Sequence, residues 1–189
     1  MAIEMKEAPA QAGIETKWKV DPAHAEIQFK VKHLMITTVT GYFKKFDLEV
    51  ETEGDDFTKA KKINFTADVD SIETNTPQRD THLKSADFFD AEKFPVLTFK
   101  STRVTDARSD RFRLVGDLTM HGVTREVTLD VTSEGRGKDP WGGERAGYSA
   151  TTKVSRSDFG LTWNQVLETG GFAVGDEIKI SLDLELVKQ

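Results

Sequence analysis

The chain predicts an all-β fold, an antiparallel sandwich or closed barrel of about eight strands with short helical inserts. Three observations carry this. Apolar and polar residues alternate with period two from Trp18 to the C-terminus, polar turn residues separate the alternating runs, and only one stretch carries helix-start chemistry. The chain has 189 residues, enough for one domain that buries its own core.

Residues 1–16, rich in Ala, Glu and Gln, read as a tail, which places one domain over 17–189. Ile27, Phe29, Val31 and His33 then share one strand face, and Glu26, Gln28, Lys30 and Lys32 the other. Gly41 to Glu53 reads as a further strand with Phe46, Leu48 and Val50 on one side. Phe43 is out of phase with them, which predicts a bulge at Lys44-Lys45. Gly54-Asp55-Asp56 marks a turn, and Ile63, Phe65, Ala67 and Val69 form the next apolar row.

A helical insert follows. Thr76-Pro77 offers a hydroxyl cap and a proline at the first helical position, so two turns are predicted over 77–86, with a second short turn from Ser85 through Phe88 and Phe89. Pro95 ends it, and Leu97, Phe99 and Ser101 return to strand. Phe112, Leu114, Gly116, Leu118 and Met120 make one row, and His121-Gly122 links it to Arg125, Val127, Leu129 and Val131. Tyr148, Ala150, Thr152 and Val154 come next, then Ile178, Ile180, Leu182, Leu184 and Leu186. Gly135-Arg136-Gly137 lacks the third glycine of a dinucleotide loop and reads as a hairpin end.

Composition narrows the function classes. A net charge of −6 argues against nucleic acid and against an anionic membrane surface as partners. With no cysteine, disulfides, thiol nucleophiles and thiolate metal sites are excluded. No run approaches the roughly 18 apolar residues of a spanning helix. The N-terminal segment lacks an apolar signal core, so the expected location is cytoplasmic, or periplasmic where an export signal has been removed.

Few residues promise chemistry. His24, His33, His82 and His121 lie far apart with no HxH or HExxH spacing, so no metal is expected. Gly147-Tyr148-Ser149-Ala150-Thr151 does not match a nucleophile elbow. Arg79, Asp80 and His82 could perform acid–base work, which leaves a small hydrolase or isomerase acting on a lipid-like substrate as the alternative function. The plainer reading is that Arg79 and Asp80 anchor the helix through charged hydrogen bonds. Arg156-Ser157-Asp158 likewise suggests a turn closed by one buried ion pair, with Arg156 also able to reach a ligand.

Taken in order, several segments resemble the YceI-like family of polyisoprenoid-binding, lipocalin-like proteins, from Trp18 to about Val187. They are Trp18 to His24, Gly41-Tyr42-Phe43, Ser71 to Thr74, Arg79 to Asp90, Phe94 to Phe99, Gly116 to Thr124, and Arg156 to Gly160. Ala25 stands where many relatives have serine. The resemblance implies an extended eight-stranded antiparallel lipocalin-like barrel whose apolar pore holds an isoprenoid, such as a polyprenyl phosphate or a quinone. It implies no catalytic residues, and no cofactor beyond the lipid.

On this reading the pore candidates are Phe29, Val31, Phe65, Phe88, Phe89, Leu97 and Phe99, with Leu114, Leu118, Tyr148, Phe159 and Trp163. His82, Lys84 and Arg156 are the candidates for the lipid head, at the helix-bearing mouth. An eight-stranded barrel leaves room for side chains or one slender ligand. Each buried methylene contributes about 0.8 kcal/mol before ordering costs, so a prenyl chain needs few polar contacts. A homodimer is compatible with the sequence. The rival to a carrier is an interaction module with a solid core.

Overall fold

The computed structural model describes residues 13–189. Most of the segment read as a tail lies outside these residues, but its last part does not: strand β1 begins at Glu15 (Glu15–Val20). Its alternation buries Thr16, Trp18 and Val20 on one face. A 3₁₀ turn at Pro22–His24 follows, where the Asp21 carboxylate accepts from the Ala23 N–H at 3.0 Å. Strand β2 is Glu26–His33, β3 is Thr37–Phe43 and β4 is Phe46–Glu53. The long β5 (Asp56–Asp68) is followed by a second 3₁₀ turn and the short β6 (Ile72–Glu73). Helix α1 (Pro77–Lys84) precedes β7 (Val96–Thr105), β8 (Arg111–Met120), β9 (Val123–Lys138), β10 (Glu144–Ser155) and β11 (Val174–Lys188).

These strands form one antiparallel sheet that closes on itself through β1–β11 pairing, Trp18 opposite Lys188. Strand β11 meets β2 along its first half and β1 at its end, so β1 and β2 act as one broken strand. Strands β3 and β4 likewise form one column: β3 pairs with β2 and β6, β4 with β1 and β5. With β6 continuing the column of β5, the barrel closes with eight columns, matching the predicted fold class.

Several local expectations are corrected. Gly41 to Glu53 is not one strand with a bulge, because pairing stops between Phe43 and Phe46. Ser71 enters that break: Lys44 N–H donates to its carbonyl and Lys45 N–H to its hydroxyl, at 3.2 and 3.0 Å. The predicted irregularity falls on the right two residues, but it is a corner rather than a bulge. Gly135-Arg136-Gly137 is not a hairpin end either; it lies within β9, where the register shifts opposite Gly147 and Tyr148. Gly135 has φ of 125°, a conformation that favours glycine and so accommodates the irregularity. The hairpin end is Asp139 to Gly143, closed by the Asp139 N–H to Gly143 carbonyl bond.

Every alternating row assigned from the sequence turns its larger apolar members inward. Trp18, Val50, Ala67, Phe159 and Leu186 are among the most buried side chains. Two close approaches keep the interior from filling. Phe29 lies across Gly41 on the neighbouring strand, and Phe99 across Gly116. Each ring occupies the place a β-carbon would take, so it lies along the wall.

Candidate functional site: an apolar barrel cavity

The inward rows leave a cavity of about 210 Å³, and its wall presents only apolar surface. It runs from Val154 and Val174 near the helix-bearing end to Tyr148 and Leu186 near the other. Along β11, Ile178 to Leu186 covers about 26 Å at roughly 3.3 Å per residue, or about 20 Å along the axis of a tilted barrel. The space is therefore long and narrow. An apolar void of this kind offers water no hydrogen-bond partner.

The helix end is plugged by aromatic rings. Leu83, Phe88 and Phe89 line the cavity there, and Phe89 meets Phe43 edge-on at 6.0 Å. Behind Phe88 stand His82 and Trp163, with ring centroids 5.0 and 5.1 Å from it. The opposite end is floored by Phe57, Phe112 and Tyr148, the Phe57 and Tyr148 rings being 4.4 Å apart.

Of the predicted pore residues, Phe29, Val31, Phe65, Phe88, Phe89, Leu97, Phe99, Leu114, Leu118 and Tyr148 line the cavity. Phe159 and Trp163 do not. Phe159 is buried in the core by the 3₁₀ turn Arg156–Phe159, where its carbonyl accepts from His121 Nδ1 at 3.0 Å. Trp163 backs Phe88 from outside. The structure adds lining residues from the same rows, among them Ile63, Phe112, Leu129, Ala150 and Ile180. Their alternation was the available signal. Phe57 had none, because it follows a turn directly and begins no recognisable row.

The polar residues predicted near the mouth are engaged elsewhere. His82 Nε2 is 2.8 Å from Asp87 Oδ2 on the surface, and Lys84 pairs with Asp70 at 3.4 Å. Neither lines the cavity. Asp80 accepts from the Thr74 N–H and hydroxyl at 2.8 and 2.5 Å, while Arg79 donates to the Thr74 carbonyl and to Thr76 Oγ1. These bonds fasten α1 to the strand before it, the anchoring reading of the sequence. Thr76 therefore does not cap the helix through its side chain as predicted; its hydroxyl accepts from Arg79 instead.

Arg156 borders the cavity without presenting a polar atom to it. It is 5% exposed, and its guanidinium donates to the carbonyls of Gly175, Leu161, Trp163 and Val174. The predicted Arg156–Asp158 ion pair is replaced by these four bonds, which tie the loop after β10 to the start of β11. Burial lowers the guanidinium's affinity for its proton.

Asp21, His24 and Glu185 lie close enough together to suggest a cation site. Arg145 already fills that role: Nη1 donates to Asp21 Oδ2 at 2.7 Å and to Glu185 Oε1, and Nε to Asp139 Oδ2 at 2.9 Å. The Arg145 guanidinium holds the Asp21 carboxyl down at about 2, with a smaller push from His24. This cluster is a surface clamp joining β1, β10 and β11. Among the described residues no helix is long and apolar enough to cross a membrane.

A closed antiparallel barrel of eight columns around a slender apolar cavity defines a lipocalin-like barrel protein. The YceI-like domain model matches residues 18–186, and the chain belongs to the YceI-like family. Curated relatives agree. A UPF0312 protein of Vibrio parahaemolyticus is 39% identical over 161 residues, covering 85% of this chain and 82% of its own. One from Staphylococcus aureus is 39% identical over 171 residues, covering 90% and 96%.

Solved structures share the fold. Burkholderia cenocepacia BcnA superposes with a TM-score of 0.75 at 26% identity, covering 88% of this chain and 98% of that one. The Campylobacter jejuni YCEI protein gives 0.71 at 29%, covering 85% and 91%. A polyisoprenoid binding domain from Saccharophagus degradans, implicated in plant cell wall breakdown, gives 0.63 at 12%, covering 91% and 98%.

Proposed function

We propose that the protein is a non-enzymatic binder of an isoprenoid lipid, a carrier or store that holds the tail inside the barrel. The observation that carries this reading is the cavity: about 20 Å long by strand spacing and barrel tilt, and apolar over its whole exposed wall. A branched hydrocarbon one chain wide suits such a space, and burial of its methylenes supplies the affinity. The described polyisoprenoid binding domain has the same fold, which supports the ligand class. A polyprenyl phosphate and an isoprenoid quinone both fit the class.

The acid–base alternative loses its support because Asp80 and His82 are committed to Thr74 and Asp87 and line no part of the cavity. The solid-core module loses support from the cavity itself.

The test is extraction of the purified protein with organic solvent and mass spectrometry of the extract. It is paired with titration of the delipidated protein with a prenol and a short-chain quinone. A prenyl lipid in the extract, or saturable uptake of either probe at one per chain, supports the reading. An extract without lipid together with no uptake overturns it.

A further inference from the structure

Beyond the aromatic floor lies a second space. Phe57, Phe112 and Tyr148 belong to the wall of the cavity and equally to the wall of a polar basin of about 300 Å³ at the end remote from α1. Arg108, Arg111 and Arg136 line that basin, with Asp56, Asp110, Thr58, Ser109 and Ser133. In a chain of net charge −6, three guanidinium groups against two carboxylates at one end of an apolar tube give the basin a lining of net charge +1, a local reversal of sign.

Their commitments differ. Arg111 pairs with Asp110 at 3.7 Å, and Asp56 is occupied by the Thr58 N–H and hydroxyl. Arg108 and Arg136 make no carboxylate contact within 4.0 Å among the described residues, although the Arg136 charge is near enough to help lower the Asp56 carboxyl, after its bonds from Thr58. Arg136 lies over the rings of Phe57 and Trp18, at 5.4 and 5.9 Å, and donates to the Tyr148 hydroxyl at 3.4 Å. Tyr148 is itself buried, and its own hydroxyl proton has no acceptor among the described residues. A fork of guanidinium donors and a free phenol proton beside the cavity floor match a tetrahedral anion.

The geometry points to this basin as the site of an anionic phosphate head, with the prenyl tail passing the Phe57–Tyr148 floor into the cavity. The inference rests on the isoprenoid reading and sharpens it: the head lies opposite α1, and the favoured ligand class is a prenyl phosphate rather than a neutral prenyl lipid. Passage requires the Phe57 and Tyr148 rings, now 4.4 Å apart, to part.

The experiment titrates delipidated protein with geranylgeranyl monophosphate, geranylgeraniol and inorganic phosphate. It uses the wild type, Arg136→Gln and Arg108→Gln/Arg136→Gln. Arg113→Gln, whose arginine pairs with Asp106 and Asp130 outside the basin, is the control for net charge. Charged hydrogen bonds predict that the wild type prefers the phosphate over the alcohol by about tenfold or more. The double variant should bring that ratio to about one and leave alcohol binding within about twofold, with Arg136→Gln between.

A wild type without the preference, or a preference that survives the double variant or falls equally in Arg113→Gln, overturns the basin as head site. Inorganic phosphate binding as tightly as the lipid phosphate makes it a free-anion site and overturns the link to the tail. Failure of both lipids to bind overturns the cavity reading as well, so the two failures are distinguishable.

Discussion

The ring of Phe99 lies against Gly116 on the neighbouring strand so closely that a β-carbon there would sit 2.4 Å from Cζ, and equally 2.4 Å from the Lys100 carbonyl. The same arrangement recurs between Phe29 and Gly41. Together with the small inward residues Ala67, Ala146 and Ala150, these glycines decide where the rings go and hence that a tube remains open.

Gly116→Ala should therefore destabilise the protein by about 1–3 kcal/mol, the ordinary penalty of overpacking, because the backbone carbonyl of Lys100 cannot retreat. Urea denaturation measures this. Adding Phe99→Leu should recover only the part that comes from the ring, and full recovery would show that the carbonyl contact is harmless.

Filling the cavity has the opposite character. Ala150 lines it from β10. Ala150→Phe should place a ring in vacant space, so the melting temperature should hold or rise while uptake of a prenol probe falls by an order of magnitude or more. Unchanged uptake would mean that the probe binds elsewhere.

Arg156 separates a structural role from a ligand role. Its replacement by Met would take the guanidinium donor from the Leu161, Trp163 and Gly175 carbonyls, while the Val174 carbonyl keeps its bond from Asn164 Nδ2, at a cost of about 2–4 kcal/mol. Binding per folded molecule, measured well below the new melting temperature, should stay within about twofold, since such a change in affinity is under about 0.5 kcal/mol. A larger loss would return Arg156 to the ligand.

His82→Ala removes the Asp87 contact and part of the backing of Phe88. A stability loss of about 0.5–2 kcal/mol with prenol uptake retained is the outcome for a binder. Loss of turnover of any substrate found for the protein would instead favour the hydrolase.

The Arg145 clamp makes a pH prediction. Asp21 is held near 2 in the folded protein against 3.8 in its unperturbed state, so the unfolded chain binds more protons between those values. The contribution is complete above about pH 4 and is lost as pH falls through about 2. Urea midpoints from pH 2 to pH 6 should show this acid limb in the wild type. Arg145→Gln, which removes the principal cause, should flatten it.

How much of this was legible in the residues follows from the period of the strand. Ile178, Ile180, Leu182, Leu184 and Leu186 announce an inner face because a pleated strand turns alternate side chains the same way, and one buried face fixes the register. The fold class, the inward rows and the family resemblance follow from such local patterns. Phe57 was not legible, since its role comes from Tyr148, far away in the chain.

The sequence by itself thus determined an antiparallel all-β fold with apolar inner rows, a sandwich or a closed barrel, because alternation and turn chemistry act over a few neighbouring residues, and the family resemblance implied the barrel. Only the tertiary structure decided that Arg156 serves backbone carbonyls, that His82 and Lys84 face away from the cavity, and that Arg108, Arg111 and Arg136 meet at one end. Those arrangements depend on closing the sheet. Barrel closure brings together residues from β5, β8, β9 and β10 that no local spacing relates.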